Sequence, residues 1–341
     1  MNQKDMPLVT AVVPVYNHDK YVIESIRSVI NQTYHNIELI VINDGSKDGS
    51  HERVLSLSEI CNQRFVRFEY INRQNIGLSA TLNQALSMAN GKYFSAIASD
   101  DIALPGKIES LVSALEAKGP EYAAAFGNAL FIDGHSCKLW LSQRGIASSV
   151  GNGAVYENYL DFRTNGGSVV DYRGSDFGAF STLLTHNYLP AMSNLVRTEL
   201  IRKVGAWENG NASEDWEMWR KLSKQYRFVY IDEPMALYRW HDGNSVKVMS
   251  DKLALCSLRL LREEKQYCAN SSLTPLWRKA YASLFFPVVL DKRIALSEKL
   301  SAADRSEMLY FLYYVAKRLA CKALRMLKKG RFQHQSAKNS E

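Results

Sequence analysis

Apolar positions along the first hundred residues follow two alternating rhythms. Leu8 to Val15 and Ile37 to Asn43 are short β-branched runs without polar alternation, as expected of strands covered on both faces of a parallel sheet. Between them Val22, Ile26, Val29 and Ile30 recur at the spacing of one buried helical face. Phe65 to Ile71 and Tyr93 to Ala98 repeat the strand signal around a helix over Leu78 to Ala89, with Gly91 placed to end it. This order predicts an open α/β sheet whose ligand crevice lies at the strands' carboxyl ends.

After Pro105 the pattern changes. A hairpin is predicted over Phe126 to Leu141 around Asp133-Gly134, then a Gly- and Asn-rich irregular segment from Gly151 to Gly178. Thr198 to Val204 and Glu214 to Tyr226 read as helices, and Phe228 to Trp240 as a strand pair broken at Asp232-Glu233-Pro234. Beyond Asp242 the chain reads as nearly all helical, which places the domain boundary near 245: residues 1–245 as the α/β domain and 246–341 as a helical region.

Composition adds little to this picture until charge is located. At 46% hydrophobic and 23% charged, the 341 residues read as globular. No apolar run reaches the roughly 18 residues of a membrane-spanning helix; Ala280 to Leu290 is short and contains Pro287. The start, Met1 to Met6, lacks the apolar core of a secretory signal, so a cytoplasmic protein is expected. Cys61, Cys137, Cys256, Cys268 and Cys321 are scattered without a Cys-x-x-Cys pair and are expected to be reduced and structural. The net charge of +7 comes almost wholly from the tail, where Met308 to Ser340 carry eight Lys or Arg and no acid. A terminal basic helix with apolar neighbours favours an anionic membrane surface over nucleic acid.

Four predicted strands deliver polar loops to one edge. The first ends in Pro14-Val15-Tyr16-Asn17 and the second in Asn43-Asp44-Gly45-Ser46-Lys47-Asp48-Gly49. A carboxylate at Asp44 can accept the ring N–H of uracil or guanine, and Tyr16 can stack on the base; alternatively the second loop is a turn with Asp48 capping a helix. After the third strand, Arg73-Gln74-Asn75-Ile76-Gly77 offers a cation for phosphate and a glycine for close backbone approach. The fourth ends in Ser99-Asp100-Asp101, adjacent carboxylates that suit a hard divalent cation, or else cap the segment that follows. A second acidic pair, Glu214-Asp215, follows Ser213 as a possible N-cap. Asp215 shares a helical face with Trp219, Leu222 and Tyr226, which aims it inward as a candidate general base. His241, closing Tyr238-Arg239-Trp240-His241, can ligate a transition ion or serve as an edge residue.

Taken in order, Pro14-Val15-Tyr16-Asn17, Asn43-Asp44-Gly45-Ser46-x-Asp48-Gly49, Asn75-x-Gly77, Asn83, Ala89-x-Gly91-Lys92-Tyr93, Asp100-Asp101, Val204-Gly205-x-Trp207, Glu214-Asp215 and Tyr238-Arg239-x-His241 resemble the family 2 glycosyltransferases over about residues 7–245. The resemblance implies a GT-A fold, an open and mostly parallel sheet flanked by helices, followed here by the helical C-terminal region. It implies inverting transfer of a hexosyl or N-acetylhexosaminyl group from a nucleotide-sugar, UDP-sugar favoured. Under it Pro14, Tyr16, Asn17, Asp44, Arg73, Asn75, Ser99 and Asp100 would bind the donor. Asp101 and His241 would hold Mn²⁺ or Mg²⁺, Asp215 would be the base and Glu214 would help position the acceptor. Many members carry an Asp two places before Asp100; here that residue is Ala98, one carboxylate fewer for the ion.

In the last predicted helix Leu312, Ala316, Leu319, Ala323 and Leu327 form one stripe and Arg318, Lys322, Arg325 and Lys329 another, as in a helix lying on a membrane surface or one packed on the catalytic domain. Joined to the resemblance, this leads to an expected acceptor that is a glycan or undecaprenyl-diphosphate-linked sugar, in bacterial O-antigen or capsule assembly at the inner face of the plasma membrane. The competing expectations are a catalytically silent nucleotide-sugar-binding subunit and a sugar nucleotidyltransferase, the second disfavoured by the lack of an N-terminal Gly-rich phosphate loop.

Overall fold

The computed structural model describes residues 6–142, 145, 147–148, 155–318 and 320. The chain divides into two compact units, Met1–Val248 and Met249–Glu341. In the first, strands β1 (Val9–Val15), β2 (Ile37–Asp44), β3 (Arg67–Arg73) and β4 (Tyr93–Ala96) alternate with helices α1 (Val22–Ile30), α2 (Ser50–Leu55), α3 (Ser58–Arg64) and α4 (Leu78–Met88). There follow β5 (Ile102–Ala103), α5 (Lys107–Glu116), β6 (Tyr122–Ile132), β7 (Trp140–Ser142), β8 (Ala147–Ser148), β9 (Val155–Tyr156), α6 (Tyr159–Thr164) and α7 (Phe180–Thr185). The unit closes with β10 (Asn194–Arg197), α8 (Thr198–Val204), α9 (Glu214–Ser223), β11 (Arg227–Arg239) and α10 (Ser245–Val248).

Among the described residues the main sheet has the order β3-β2-β1-β4-β10-β6-β11-β5. Its first four strands are parallel, β10 runs antiparallel between β4 and β6, and β11 is parallel to β6. Both faces are covered, which is why β1 and β2 show no polar alternation. Val9, Ala11, Val13, Val15, Leu39 and Val41 pack with Ile26, Val54 and Leu111, whereas Val12, Ile40 and Ile42 pack with Leu82, Leu86, Met218 and Trp219. Pro14 is tolerated in a central strand for a local reason. The β1–β4 ladder ends at Val12↔Ala96, so the side of Pro14 that lacks a donor faces no strand.

Two expectations change in the second half. The predicted hairpin is real only at its tip, where Asp133 N–H donates to the Cys137 carbonyl at 2.9 Å; the body of β6 pairs with β10 and β11 instead. Phe228 to Trp240 is no strand pair. It is one strand with register shifts around Tyr230 to Ala236, where Pro234 is accommodated by a bulge rather than a turn. Helix α9 ends at Ser223, leaving Tyr226 beyond the predicted face.

A Glu38 cluster fastens the closed end of the sheet. The Glu38 carboxylate is 1% exposed and accepts Thr10 Oγ1 (2.5 Å), Asn90 N (2.6 Å), Asn90 Nδ2 (3.1 Å), Gly91 N (3.2 Å) and Arg67 Nη1 (3.0 Å). A Cβ on Gly91 would lie 2.5 Å from Thr10 N, which accounts for the glycine of the Ala89-x-Gly91 motif.

The second unit contains α11 (Ser250–Glu263), α12 (Lys265–Asn270), α13 (Thr274–Leu290) and α14 (Leu296–Ala302), with residues 308–318 also helical. Trp277, Tyr281 and Phe285 stack along α13, and Trp277 Nε1 donates to the Leu261 carbonyl at 2.5 Å. No helix among the described residues is long and apolar enough to cross a membrane. Leu319, Ala323 and Leu327 of the expected apolar stripe, Lys322, Arg325 and Lys329 of the basic one, and Cys321 lie outside the described residues, as do 151–154 of the irregular segment. Cys61, Cys137 and Cys256 are free thiols.

Candidate active site

Loops from β1 and β2 are laced together at the carboxyl edge. Asn17 takes a left-handed conformation (φ 54°) that its side chain helps to hold, Oδ1 accepting Lys47 N–H at 2.7 Å while Asn17 N–H donates to Ser46 Oγ at 2.9 Å. Asp48 accepts Ser50 N–H at 3.0 Å, as a cap would, and also Asp19 N–H at 2.9 Å across the gap. Tyr16 is left half-exposed at this edge and Asn75 exposed, both open to a ligand.

Asp44 is buried and already has donors. It receives Ile76 N–H and Gly77 N–H, each at 2.9 Å, and pairs with the Arg73 guanidinium. Arg73 also donates to Thr81 Oγ1 (2.7 Å), Gln84 Oε1 (2.8 Å) and the Gln74 carbonyl (2.9 Å). Its guanidinium is therefore fixed by protein partners and in turn fixes Asp44. Gly45 (φ 73°) lets β2 turn beneath the Asn75 backbone, where a Cβ would sit 2.6 Å from Asn75 N.

At the end of β4 the two carboxylates separate in role, and the division differs from the sequence expectation. Asp101, not Asp100, was expected to meet His241. Instead Asp101 Oδ1 accepts Arg239 N–H at 2.9 Å, so this carboxylate locks the end of β11. Burial and the neighbouring Asp100 push the Asp101 carboxyl well above the usual range, with Lys107 a nearby counter-charge. Lys107 is itself buried, which pushes its ammonium down to about 7; it donates to the Met192 carbonyl at 2.9 Å.

Asp100 is the acid that meets imidazole. His241 Nε2 lies 3.0 Å from Asp100 Oδ2, and His18 Nε2 lies 3.7 Å from the same oxygen. Burial would raise this carboxyl, but His241 and His18 outweigh it and hold it below the ordinary value. Ser99 Oγ is bonded to His18 Nδ1 at 2.8 Å, so Ser99 positions an imidazole here. The buried Arg239 guanidinium clamps the floor through the Asp100 carbonyl (2.8 Å), the Asp133 carbonyl (3.0 Å) and Glu24 Oε2 (2.5 Å), stacked over Tyr21. The motif Tyr238-Arg239-x-His241 thus supplies both the clamp and the imidazole. His18, Asp100 and His241 bring potential ligand atoms within 4.8 Å of one another, a donor set that fits a divalent ion.

The second acidic pair opens α9. The Ser213 hydroxyl makes no capping bond; its N–H is taken by Asn211 Oδ1 at 2.9 Å. Asp215 is held by Trp216 N–H (2.6 Å) and by Asn187 Nδ2 (3.1 and 3.2 Å), and Asn187 is fixed by Arg163, whose Nε donates to its carbonyl at 3.0 Å. Burial raises the Asp215 carboxyl, with Asn187, Trp216 N–H and Arg163 opposing. Burial and the adjacent Asp215 push Glu214 further, up to about 8. Tyr159 feels the charge of both Asp215 and Asp101, and its ring is 5.5 Å from that of Tyr238, which feels Asp100 and Asp101. Tyr159, close to both Asp215 and Asp101, and its neighbour Tyr238 thus connect the surroundings of the two acidic pairs.

Sequence reasoning passed over His18, Asn187 and Arg163. His18 directly follows the Pro14 to Asn17 loop, and that adjacency was a usable signal. Asn187 and Arg163 sit in segments with no periodic pattern, and only folding brings them to Asp215. Asn83 and Trp207, by contrast, prove to be a structural clasp: Asn83 Nδ2 donates to the Trp207 carbonyl at 2.7 Å and Trp207 N–H to Asn83 Oδ1 at 2.9 Å.

Residues 10–173 match the family model for glycosyl transferase family 2. An uncharacterized glycosyltransferase of Haemophilus influenzae is 28% identical over 271 residues, covering 78% of this chain and 76% of that protein. Glycosyltransferase GlyG of Streptococcus pneumoniae is 27% identical over 248 residues, covering 72% and 74%. Among solved structures, S. aureus TarS 1-349 superposes with a TM-score of 0.56 at 13% identity, over 86% of this chain and 77% of that one. Mannosyltransferase PcManGT from Pyrobaculum calidifontis, in complex with GDP-Man and Mn²⁺, gives 0.53 at 14%, over 92% and 81%. These likenesses fix the fold as GT-A, and residues 10–173 carry a glycosyl transferase family 2 domain.

Proposed function

We propose that the enzyme transfers a hexosyl or N-acetylhexosaminyl group, with inversion, from a UDP-sugar to a hydroxyl of a glycan acceptor carried on a lipid diphosphate. The observation that carries this reading is the pair of acidic centres connected through Tyr159 and Tyr238, Asp100 with His241 on one side and Asp215 with Glu214 on the other. Asp44, oriented by Arg73, and the half-exposed Tyr16 would receive the base, with Pro14, Asn17 and Asn75 shaping that pocket. S. aureus TarS has been solved with UDP and with UDP-GlcNAc, and PcManGT with GDP-Man, which supports a nucleotide-sugar donor here.

Asp215 takes the proton of the acceptor hydroxyl as that oxygen bonds to the anomeric carbon, while the diphosphate departs from the opposite face with the bonding electron pair. Single displacement inverts the configuration. Asn187 and Arg163 keep the Asp215 carboxylate in place, and Glu214, holding a proton to about pH 8, can donate to an acceptor oxygen. A divalent ion, Mn²⁺ or Mg²⁺, would be held by Asp100 and His241 and would neutralise charge on the leaving diphosphate. The exposed Leu309, Leu312 and Tyr313 beside Lys317 in helical residues 308–318 support docking to an anionic membrane, the setting of a lipid-linked acceptor in O-antigen or capsule assembly.

The test is a matrix of UDP-, GDP- and dTDP-sugars with Mn²⁺ or Mg²⁺ against lipid-diphosphate sugar acceptors, with a chelator control. Transfer from a UDP-sugar with an inverted product is the expected outcome. Binding of UDP without transfer or donor hydrolysis in any combination would establish a silent partner subunit instead.

A further inference from the structure

Position 98, two places before Asp100, holds Ala98, and its carbonyl is engaged by Ser25 Oγ at 3.0 Å and Asp101 N–H at 3.1 Å. It offers no carboxylate to an ion. Into the same neighbourhood comes an imidazole from a different strand end. His18 is fixed at both its backbone and its ring, N–H to Ser50 Oγ at 3.0 Å and Nδ1 to Ser99 Oγ at 2.8 Å. Its carbonyl accepts Tyr21 N–H and Val22 N–H, anchoring it to the start of α1. With Nδ1 tied to Ser99, the ring presents Nε2 to Asp100, facing His241 with ring centroids 5.9 Å apart at 81°.

The geometry points to His18 as a third ligand of the divalent ion, beside Asp100 and His241 and on a floor where Ala98 offers no carboxylate, making the site select a transition-metal ion over Mg²⁺. Two imidazoles converge on a single carboxylate; the His18 ring is held from its other side by Ser99 Oγ, and His241 would give up the Gly243 N–H that its Nδ1 accepts in order to offer the Nε2 lone pair to an ion. That is the donor set of two His and one acid that borderline ions accept with positions left open for other ligands. Mg²⁺ prefers an all-oxygen octahedron and gives up water reluctantly, so exchanging an acid for an imidazole disfavours it. The two nitrogen ligands also imply Co²⁺ and Zn²⁺ binding tighter than Mn²⁺. Ser99 then acts as a positioning residue, its hydroxyl aiming the His18 ring.

This inference rests on the proposed ion site at Asp100 and His241, but its test does not depend on sugar transfer. Mn²⁺ and Mg²⁺ are titrated into the full-length chain, with and without UDP, for wild type, His18→Ala and His18→Asp, following free Mn²⁺ by EPR and Mg²⁺ by calorimetry. Wild type should bind Mn²⁺ more tightly than Mg²⁺. His18→Ala should lose about 10–100-fold in Mn²⁺ affinity with little change for Mg²⁺, and His18→Asp should reverse the preference. Pulsed EPR of bound Mn²⁺ should show couplings from two imidazoles in wild type and from one in His18→Ala. A wild-type spectrum with a single imidazole, equal affinities for the two ions, or an unchanged His18→Ala would overturn the proposal, and the wild-type spectrum decides even where a variant fails to fold. Transfer activity with an unaltered His18→Ala would remove the ligand and keep the function; a two-imidazole Mn²⁺ site in a chain that transfers nothing would do the reverse.

Discussion

Replacing Asp215 by Asn separates chemistry from binding in the proposed mechanism. Asn keeps the volume and one acceptor oxygen for Trp216 N–H, which lies 2.6 Å from the carboxylate, but loses the negative charge and the ability to take a proton. A positioned general base contributes about 10²–10⁴ in rate, which at about 1.36 kcal/mol per factor of ten is about 3–5 kcal/mol of barrier. The upper part of that range is expected, because burial raises the Asp215 carboxyl and makes its ionised form a stronger base than an exposed aspartate. Burial has a second consequence. Removing one of two adjacent, partly buried carboxyls relieves repulsion of Glu214, so the variant should unfold at a higher temperature than wild type. Steady-state transfer gives kcat and UDP titration by calorimetry gives affinity; kcat should collapse while the Kd for UDP stays within about twofold. In the wild type, kcat should fall as pH drops through the Asp215 pKa, with the acid limb above the ordinary aspartate value of 3.8. Transfer by Asp215→Asn within about threefold of wild type would refute the assignment.

Glu214 links the site to stability. Its folded-state value of about 8 against an ordinary 4.5 means that the native chain holds a proton the unfolded chain has lost; the stabilisation is complete below 4.5 and disappears as pH climbs towards 8. Melting temperatures from pH 5 to 9 should therefore fall less steeply for Glu214→Gln than for wild type, and parallel curves would contradict the shift. Glu38→Ala leaves the Thr10, Asn90 and Gly91 donors without their acceptor, while Arg67 keeps Glu69; a loss of about 2–4 kcal/mol in urea unfolding is expected, and a loss below about 1 kcal/mol would show the cluster to be dispensable. Leu309 and Leu312 are 84% and 57% exposed, so Leu309→Ser with Leu312→Ser should leave folding intact and reduce co-sedimentation with anionic vesicles; unchanged sedimentation would count against membrane docking.

The sheet was legible because its signals are local. Strands buried on both faces must be continuously apolar, and β1 to β4 lie within a few residues of their predicted spans. β11 was misread because Asp232-Glu233-Pro234 is turn chemistry in isolation, whereas pairing with β6 absorbs it as a bulge. The roles within Asp100-Asp101 were not legible at all: two adjacent acids are equivalent in a sequence, and which one meets His241 depends on the direction each side chain takes once Arg239 N–H captures Asp101.

By itself the sequence determined the α/β order, the loops at the carboxyl edge and the family resemblance, since these rest on periodicity and on residue types at fixed spacing. Only the tertiary structure decided that Arg73 serves Asp44, that Asn187 and Arg163 hold Asp215, and that His18 joins Asp100 and His241. The physical reason is distance along the chain. These groups lie at least 24 residues from their partners, and a side chain's partner at such separation is set by how strands and loops pack, which spacing does not encode.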